Sequence, residues 1–454
     1  MNWRKMTVLF LILAFSLTLV SCGGTKKEEA KPPAAEEKKP IKITFWFSLG
    51  GKISEATKKL VEQFNASHKD VQVEAIYQGS YDDAINKLKQ SIQSKSTPHV
   101  MQVYDIGTRF MIDSKAVVPV QKWIDAEKLD VSTFEPNILA YYTVDNKLYS
   151  MPFNISTPLL YYNKDMFKGA GLDPEKAPLT FDEVAKAAKA LTVKDPSGKV
   201  TRPGIAIAIY GWFFEQFMAA QDALYANNGN GRDGTATAVV FNSPQGEAIL
   251  KWWHGLIKDG VAANLGRKTA DTQKAFISGQ TAMTIDSTAV LADILKGVDG
   301  KFQVGTGFLP RPAGAKGGVV PGGGSLWLLG GHPEAEEKAA WEFIKWMVAP
   351  EQQAFWHMNT GYFPVTKLSY NVAALQDHQK KYPQFKVAID QLRSTPVTRA
   401  TQGALLGVFT QARQEVEGAI EQVLNNKATP ADALKKATDT INGAIERYNQ
   451  TVTK

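Results

Sequence analysis

From residue 41 onward the chain alternates between two hydrophobic periods, and this limits its fold more than any other feature. Ile41, Ile43, Phe45 and Phe47 are separated by Lys42, Thr44 and Trp46, the two-residue period of a strand. Leu49-Gly50-Gly51 interrupts it, and Ile53, Leu60, Val61 and Phe64 then fall on one face of a helix. Val71, Val73, Ala75 and Tyr77 return to the strand period. Ile85, Leu88 and Ile92 return to the helical one, and residues 100–104 form a short apolar strand after Pro98. The order β-α-β-α-β predicts a largely parallel sheet covered by helices on both faces. Ligands of such sheets sit at the carboxyl ends of the strands. There the chain places Trp46-Phe47-Ser48, Gly79-Ser80-Tyr81 and Asp105.

The strand-then-helix habit continues. Residues 159–162 read as a strand leading into a short helix over 163–167 that Gly171 ends, and residues 185–191 read as a helix with a small-residue face. Residues 227–234 (NNGNGRDG) form a turn-rich loop without the acidic spacing or closing Glu of a calcium loop. Trp252 and Trp253 lie on an amphipathic helix and read as core. Residues 317–325 are rich in glycine, which lets backbone N–H groups approach a ligand, but lack the Gly-Lys-Ser/Thr ending of a phosphate loop. The last hundred residues read mainly as helix, with Phe343, Ile344 and Met347 on one stripe and Leu434, Ile441, Ile445 and Tyr448 on another.

An apolar content of 44% and a charged content of 21% describe a soluble globular chain, and 454 residues suit two sizeable domains. The single cysteine excludes an intramolecular disulfide and a thiolate zinc site, so the fold must stand on its core. The net charge of +7 is spread among acidic residues, without the basic stripe and interleaved aromatics of a nucleic-acid binder. Catalytic motifs are absent: there is no HExxH, GxSxG or Walker sequence, and the six histidines are not at ligand spacing. Asp105 and Glu215 are the carboxylates a glycosidase reading would offer as its pair. These observations predict a binding protein with no cofactor, no metal and no nucleic-acid partner, rather than an enzyme. Its 10 tryptophans and 14 tyrosines suit aromatic platforms for a polar ligand.

The N-terminus adds a location. Arg4 and Lys5 precede an apolar run over residues 6–20, shorter than the ~20 residues of a spanning helix, and Leu19-Val20-Ser21-Cys22 closes it. The pattern resembles a bacterial lipoprotein cleavage site. It implies a signal peptide over residues 1–21, lipidation of Cys22 and an extracytoplasmic protein held at a membrane in the periplasm or at the cell surface. Residues 22–40 carry no large apolar side chain and read as a disordered tether reaching at most about 60 Å.

The body of the chain, from Ile41 to the C-terminus, resembles bacterial extracellular solute-binding proteins of ABC importers, in the maltose-type branch. The run PLLYYNKDMFKGAGL over 158–172 and TGYFPV over 360–365 carry that resemblance. Within the branch, ITFW (43–46), GSY (79–81), QVYDIGT (102–108), PFNISTP (152–158), Gly211-Trp212, GGGSLW (322–327) and Gly361-Tyr362 are most similar to the glycerol-3-phosphate-binding members.

The resemblance implies a two-lobed α/β periplasmic-binding-protein fold of type II, with the ligand in a cleft between lobes. Lobe 1 is expected over 41–153 and 305–350, and lobe 2 over 154–304 and 351–454. Crossings are expected near 153–154, 304–310 and 349–360, with closure by a hinge. It further implies capture of sn-glycerol-3-phosphate or a glycerophosphodiester by a monomer that docks on ABC permease subunits. Tyr81 and Asp105 would bind from one lobe, with Ser156, Ser287, Gly322, Tyr362 and Arg413 elsewhere in the cleft and Trp212 as a cleft tryptophan. An arginine suits phosphate oxygens and a carboxylate suits a diol. Two positions depart from the pattern: Asp105 stands where Glu is usual, and Phe47 where His is usual. Both lie on the glycerol side. The alternative is a neutral sugar or oligosaccharide stacked on Trp46, Trp212 and Tyr362, and a surface hydrolase is the reading from another class.

Overall fold

A computed structural model describes residues 39–452. The signal segment, Cys22 and all but the last two residues of the tether lie outside the described residues. Strands follow the chain as β1 (Ile41–Phe47), β2 (Val71–Tyr77), β3 (Val100–Tyr104), β4 (Val117–Val118), β5 (Thr143–Val144), β6 (Lys147–Leu148), β7 (Met151–Ser156) and β8 (Pro158–Asn163). They continue as β9 (Val193–Lys194), β10 (Val200–Arg202), β11 (Ile205–Ala206), β12 (Ala262–Ala263), β13 (Met283–Ser287), β14 (Val304–Gly307) and β15 (Gly322–Leu329). The first five elements, strands over 41–47, 71–77 and 100–104 and the helices Gly51–Ser67 and Tyr81–Gln93, lie where the hydrophobic periods put them.

Two main sheets result. The first runs β2-β1-β3-β15-β4, with β7 also on β15, and the second runs β12-β11-β13-β8-β14. The expectation of a largely parallel sheet is corrected. β1 is parallel to β2 and β3, but β15 is antiparallel to β3, β4 and β7. In the second sheet β11 is parallel to β12 and β13, whereas β8 is antiparallel to β13 and β14. The cause is connectivity. β8 and β15 arrive from the other sheet, not through a local strand-helix-strand crossover, so the rule that makes such crossovers parallel does not govern them. The chain leaves the first sheet between Ser156 and Pro158 and returns to it between Gly307 and Gly322.

The first sheet is held by aromatic packing. The helix Gly51–Ser67 buries Leu60, Val61 and Phe64, and the helix Glu334–Met347 buries Trp341, Phe343, Ile344 and Met347. Phe343 lies 5.3 Å from Phe45 and 5.1 Å from Phe64, within the range where tilted and edge-on pairs gain beyond their burial. On the second sheet's side, the helices Phe409–Leu424 and Pro430–Val452 bury Val416, Ile420, Leu434 and Ile441. The glycine- and asparagine-rich run makes a left-handed turn: Asn228, Gly229, Asn230 and Gly231 all have positive φ. Asn230 Oδ1 accepts the N–H groups of Tyr225 and Ala226 at 2.8 Å, and Asp233 pairs with Arg399.

Candidate functional site

β1 and β3 are parallel, so their carboxyl ends meet at one edge, where Trp46, Tyr81 and Asp105 are found. Ser80 caps the helix Tyr81–Gln93: its Oγ accepts the Asp83 N–H at 3.2 Å, and Asp83 Oδ2 accepts the Ser80 N–H at 3.0 Å. That box fixes Tyr81 at the first helical position. The Tyr81 ring stacks on Tyr104, with centroids 5.0 Å apart, and its hydroxyl accepts from Asn154 Nδ2 at 2.8 Å. Tyr362 lies within hydrogen-bonding reach of both Tyr81 and Asn154, and burial pushes both phenols above their ordinary range.

The remaining expected neutral donors gather where the chain crosses between sheets. Ser156 pairs in register with Gly322, and Ser287 with Pro158. Trp212, in the first turn of the helix Gly211–Ala220, lies flat against Gly322; a Cβ there would sit 2.7 Å from its ring, so only glycine admits the indole. Tyr362 stacks on Trp356 at 5.6 Å and follows Gly361, whose φ of +116° and contact with the Thr288 carbonyl exclude any side chain. Trp46 is half-buried beside this edge and packs on the core.

The charged residues form a second pole. Arg413 is buried and donates from Nε and Nη2 to Glu215 Oε1 and Oε2, both at 2.8 Å. Asp105 Oδ2 stands 3.6 Å from Arg413 Nη2. Burial alone would lower the arginine, but Glu215, Tyr210 and Asp105 hold it well above its ordinary value. Burial pushes the Asp105 carboxyl up to about 6; Arg413 opposes this and Glu215 adds to it. Asp105 is the displaced partner, because Glu215 takes both short bonds. Glu417 accepts the Gly211 N–H at 3.1 Å, and its carboxyl is raised by burial. Tyr104 donates to Asp82 at 2.8 Å and also contacts Thr410 of the helix Phe409–Leu424.

Thus Tyr81, Asp105, Ser156, Trp212, Ser287, Gly322, Tyr362 and Arg413 lie around one edge and one crossing, and among the described residues no hydrogen bond or ring contact ties Trp46 to them. The structure adds Asn154, Tyr104, Thr410 and, above all, Glu215. The sequence offers Glu215 only as half of a hydrolytic pair; 198 positions separate it from Arg413, and no local pattern signals their pairing. With Arg413 in contact with both Glu215 and Asp105, the two carboxylates are partners of a cation rather than a free hydrolytic pair. An internal void of about 20 Å³, enough for one water, is bounded by Asp105, Glu215, Tyr141, Tyr225 and Asn230. A more open hollow of about 760 Å³ lies elsewhere, lined by Asn163, Asp165, Arg202, Ser278 and Lys301, and contains none of the gathered residues.

Residues 59–387 match the family model described as bacterial extracellular solute-binding protein. The chain belongs to that family. Its members are binding proteins rather than enzymes, and they act outside the cytoplasm. Among curated relatives, the sn-glycerol-3-phosphate-binding periplasmic protein UgpB of Pectobacterium atrosepticum is 36% identical over 90% of this chain and 92% of its own. The protein of the same name from Escherichia coli K12 is 34% identical over 90% and 93%. Among solved structures, UgpB from Mycobacterium tuberculosis in complex with glycerophosphocholine superposes with a TM-score of 0.76 at 22% identity, covering 89% of this chain and 98% of that one. The cyclic α-maltosyl-1,6-maltose binding protein from Arthrobacter globiformis gives 0.72 at 23%, covering 90% and 100%. The solute-binding protein therefore has the two-lobed α/β fold expected of it. No helix among the described residues is long and apolar enough to cross a membrane.

Proposed function

We propose that this solute-binding protein captures sn-glycerol-3-phosphate or a glycerophosphodiester and delivers it, as a monomer, to the permease subunits of an ABC importer. The observation that carries the reading is the convergence of Tyr81, Asp105, Ser156, Trp212, Ser287, Gly322, Tyr362 and Arg413 from eight separate stretches of chain. Lobe 1 comprises residues 41–156 and the return through β15, with the first passage at Thr157 rather than at 153–154; lobe 2 holds the second sheet and the C-terminal helices. Cys22 carries the lipid that holds the protein at the membrane, and a Cys22→Ser variant moves it from the membrane fraction to the soluble one.

The charge arrangement divides the ligand between the two poles. Glu215 takes two of the five N–H donors of Arg413, and Glu215 and Asp105 together offset its charge, so the phosphate oxygens are held mainly by neutral donors: the Ser156 and Ser287 hydroxyls, the backbone around Gly322 and the Tyr362 phenol. The ligand hydroxyls donate to Asp105. A carboxylate accepts two hydroxyls at once, which suits a vicinal diol. The test is calorimetric titration with glycerol-3-phosphate, glycerophosphocholine and maltose. Binding of either phosphate ligand that weakens in Ser156→Ala and Ser287→Ala supports the reading, at roughly 1 kcal/mol or more per lost hydrogen bond. Binding of maltose alone overturns it in favour of sugar stacking on Trp46, Trp212 and Tyr362.

A further inference from the structure

At the far end of the first sheet from the ligand site, three side chains with metal-binding atoms converge. His99 precedes β3, His332 follows β15, and Glu336 lies in the first turn of the helix Glu334–Met347. The His99 and His332 rings stack with centroids 4.0 Å apart. His99 Nε2 is 2.8 Å from Glu336 Oε2 and His332 Nδ1 is 4.0 Å from the same oxygen; all three donor atoms fit within 4.8 Å of one another. We propose that His99, His332 and Glu336 bind a divalent transition-metal ion of the zinc class.

The surrounding bonds aim His332 Nδ1 at the cluster, whereas without metal His99 carries its proton on Nε2, toward Glu336. His332 Nε2 faces the Pro98 carbonyl at 3.2 Å and Thr97 Oγ1 at 3.4 Å, so its proton lies there and the Nδ1 lone pair points to the cluster. His99 Nδ1 is 3.1 Å from Thr44 Oγ1 and accepts the Thr44 N–H at 3.0 Å. Metal at Nε2 shifts the His99 proton to Nδ1, where Thr44 Oγ1 accepts it and the bond from the Thr44 N–H is given up. Tetrahedral zinc with ~2.05 Å bonds separates its ligand atoms by about 3.3 Å. The observed 2.8 and 4.0 Å bracket that value, and the two stacked rings must turn apart for both nitrogens to face one ion. Two imidazoles and one carboxylate form a borderline donor set that favours zinc, cobalt or nickel over magnesium or calcium. The side chains of His99, His332 and Glu336 are 12%, 17% and 35% exposed, which leaves a path for the ion and a fourth position for water.

Six residues of extended chain separate His99 from Asp105, about 20 Å. The ion therefore acts as a clip between the start of β3, the turn after β15 and the helix that follows, whatever occupies the cleft. The experiment is titration of tag-free, chelator-stripped protein with zinc chloride and, separately, magnesium chloride. Saturable zinc binding at one ion per chain, no magnesium binding, and at least ~10-fold weaker zinc binding in each of His99→Ala and His332→Ala are expected, with the ligand affinity of His332→Ala unchanged. His332→Gln, a conservative change on a turn, repeats the test if an alanine variant fails to fold. Absence of saturable zinc binding, magnesium binding as tight as zinc, or zinc affinity unchanged in the histidine variants overturns the proposal.

Discussion

At the scale of single residues, the Asp105 carboxyl links pH to both stability and binding. Its folded value of about 6 lies above the ordinary one, because burial outweighs the pull of Arg413. Between the ordinary value and about 6, the folded protein keeps a proton that the unfolded chain has released. The unliganded protein therefore loses stability as pH rises through that window. Ligand hydroxyls act in the opposite sense, since they donate to the ionised form. Affinity for a phosphodiester, whose own charge is constant in this range, is expected to fall as pH drops below about 6, approaching tenfold per unit. Titration calorimetry from pH 5 to 8 reads the slope, and Asp105→Asn should flatten it. Arg413 yields a second expectation. In Arg413→Ala two carboxylates remain buried without their cation, which costs ~3–5 kcal/mol of stability at pH 7. Adding Glu215→Gln should recover part of this in urea unfolding. Loss of ligand binding in Arg413→Ala alone therefore reports an unpaired site rather than a missing phosphate contact.

At the scale of elements, β15 makes the site possible. Its glycines do different work: Gly322 gives room to the Trp212 indole, while Gly323, at φ +93°, lies where a Cβ would come within 1.9 Å of the Asn154 carbonyl. The register of β15 against β7 slips between Gly324 and Ser325, so the bulge brings Asn154 and its partner Tyr81 to the cleft edge. Gly323→Ala should destabilise the protein by at least ~2 kcal/mol in chemical denaturation, and Gly322→Ala should displace Trp212, lowering ligand affinity and shifting tryptophan fluorescence with a smaller loss of stability. This contrast also explains what the sequence discloses. The first five elements are legible because each buries one face and so keeps a strict period of two or near 3.6. β15 is not, because Gly322, Gly323 and Gly324 replace the apolar alternation, and because its antiparallel place depends on a strand far away in sequence. The residues of the neutral pole are legible only through a resemblance over short motifs. The Arg413–Glu215 pair arises only when the helices Gly211–Ala220 and Phe409–Leu424 pack together, as Gly211 against the Arg413 stem shows.

At the scale of the whole molecule, a few contacts tie elements of the first sheet to the two C-terminal helices. Thr410 meets Tyr104, Arg413 meets Asp105, and Tyr448 donates its hydroxyl to Asp113 Oδ2 at 2.9 Å. Asp113 is oriented for this by Arg109, whose Nε donates to the same oxygen at 2.9 Å. The first two contacts involve residues at the ligand site. The third does not: Tyr448 lies near the C-terminal end of the helix Pro430–Val452, against Gly407, and none of the proposed ligand donors touches it. If the lobes hinge apart about the cleft, this contact breaks, and its contribution to the closed form does not depend on ligand. A ligand that binds only the closed form sees an affinity reduced by the fraction closed. Removing one hydrogen bond of about 1–2 kcal/mol should cost roughly five- to thirtyfold in affinity if the unliganded protein is mostly open. If it is mostly closed, the same change should leave affinity nearly untouched, and the unliganded radius of gyration should match that of the liganded protein. Tyr448→Phe keeps the ring that packs on Gly407 and deletes only the hydroxyl, so calorimetry and small-angle scattering on this one variant separate the two cases. An unchanged affinity in a protein whose radius of gyration falls on ligand binding would show that Tyr448 plays no part in closure.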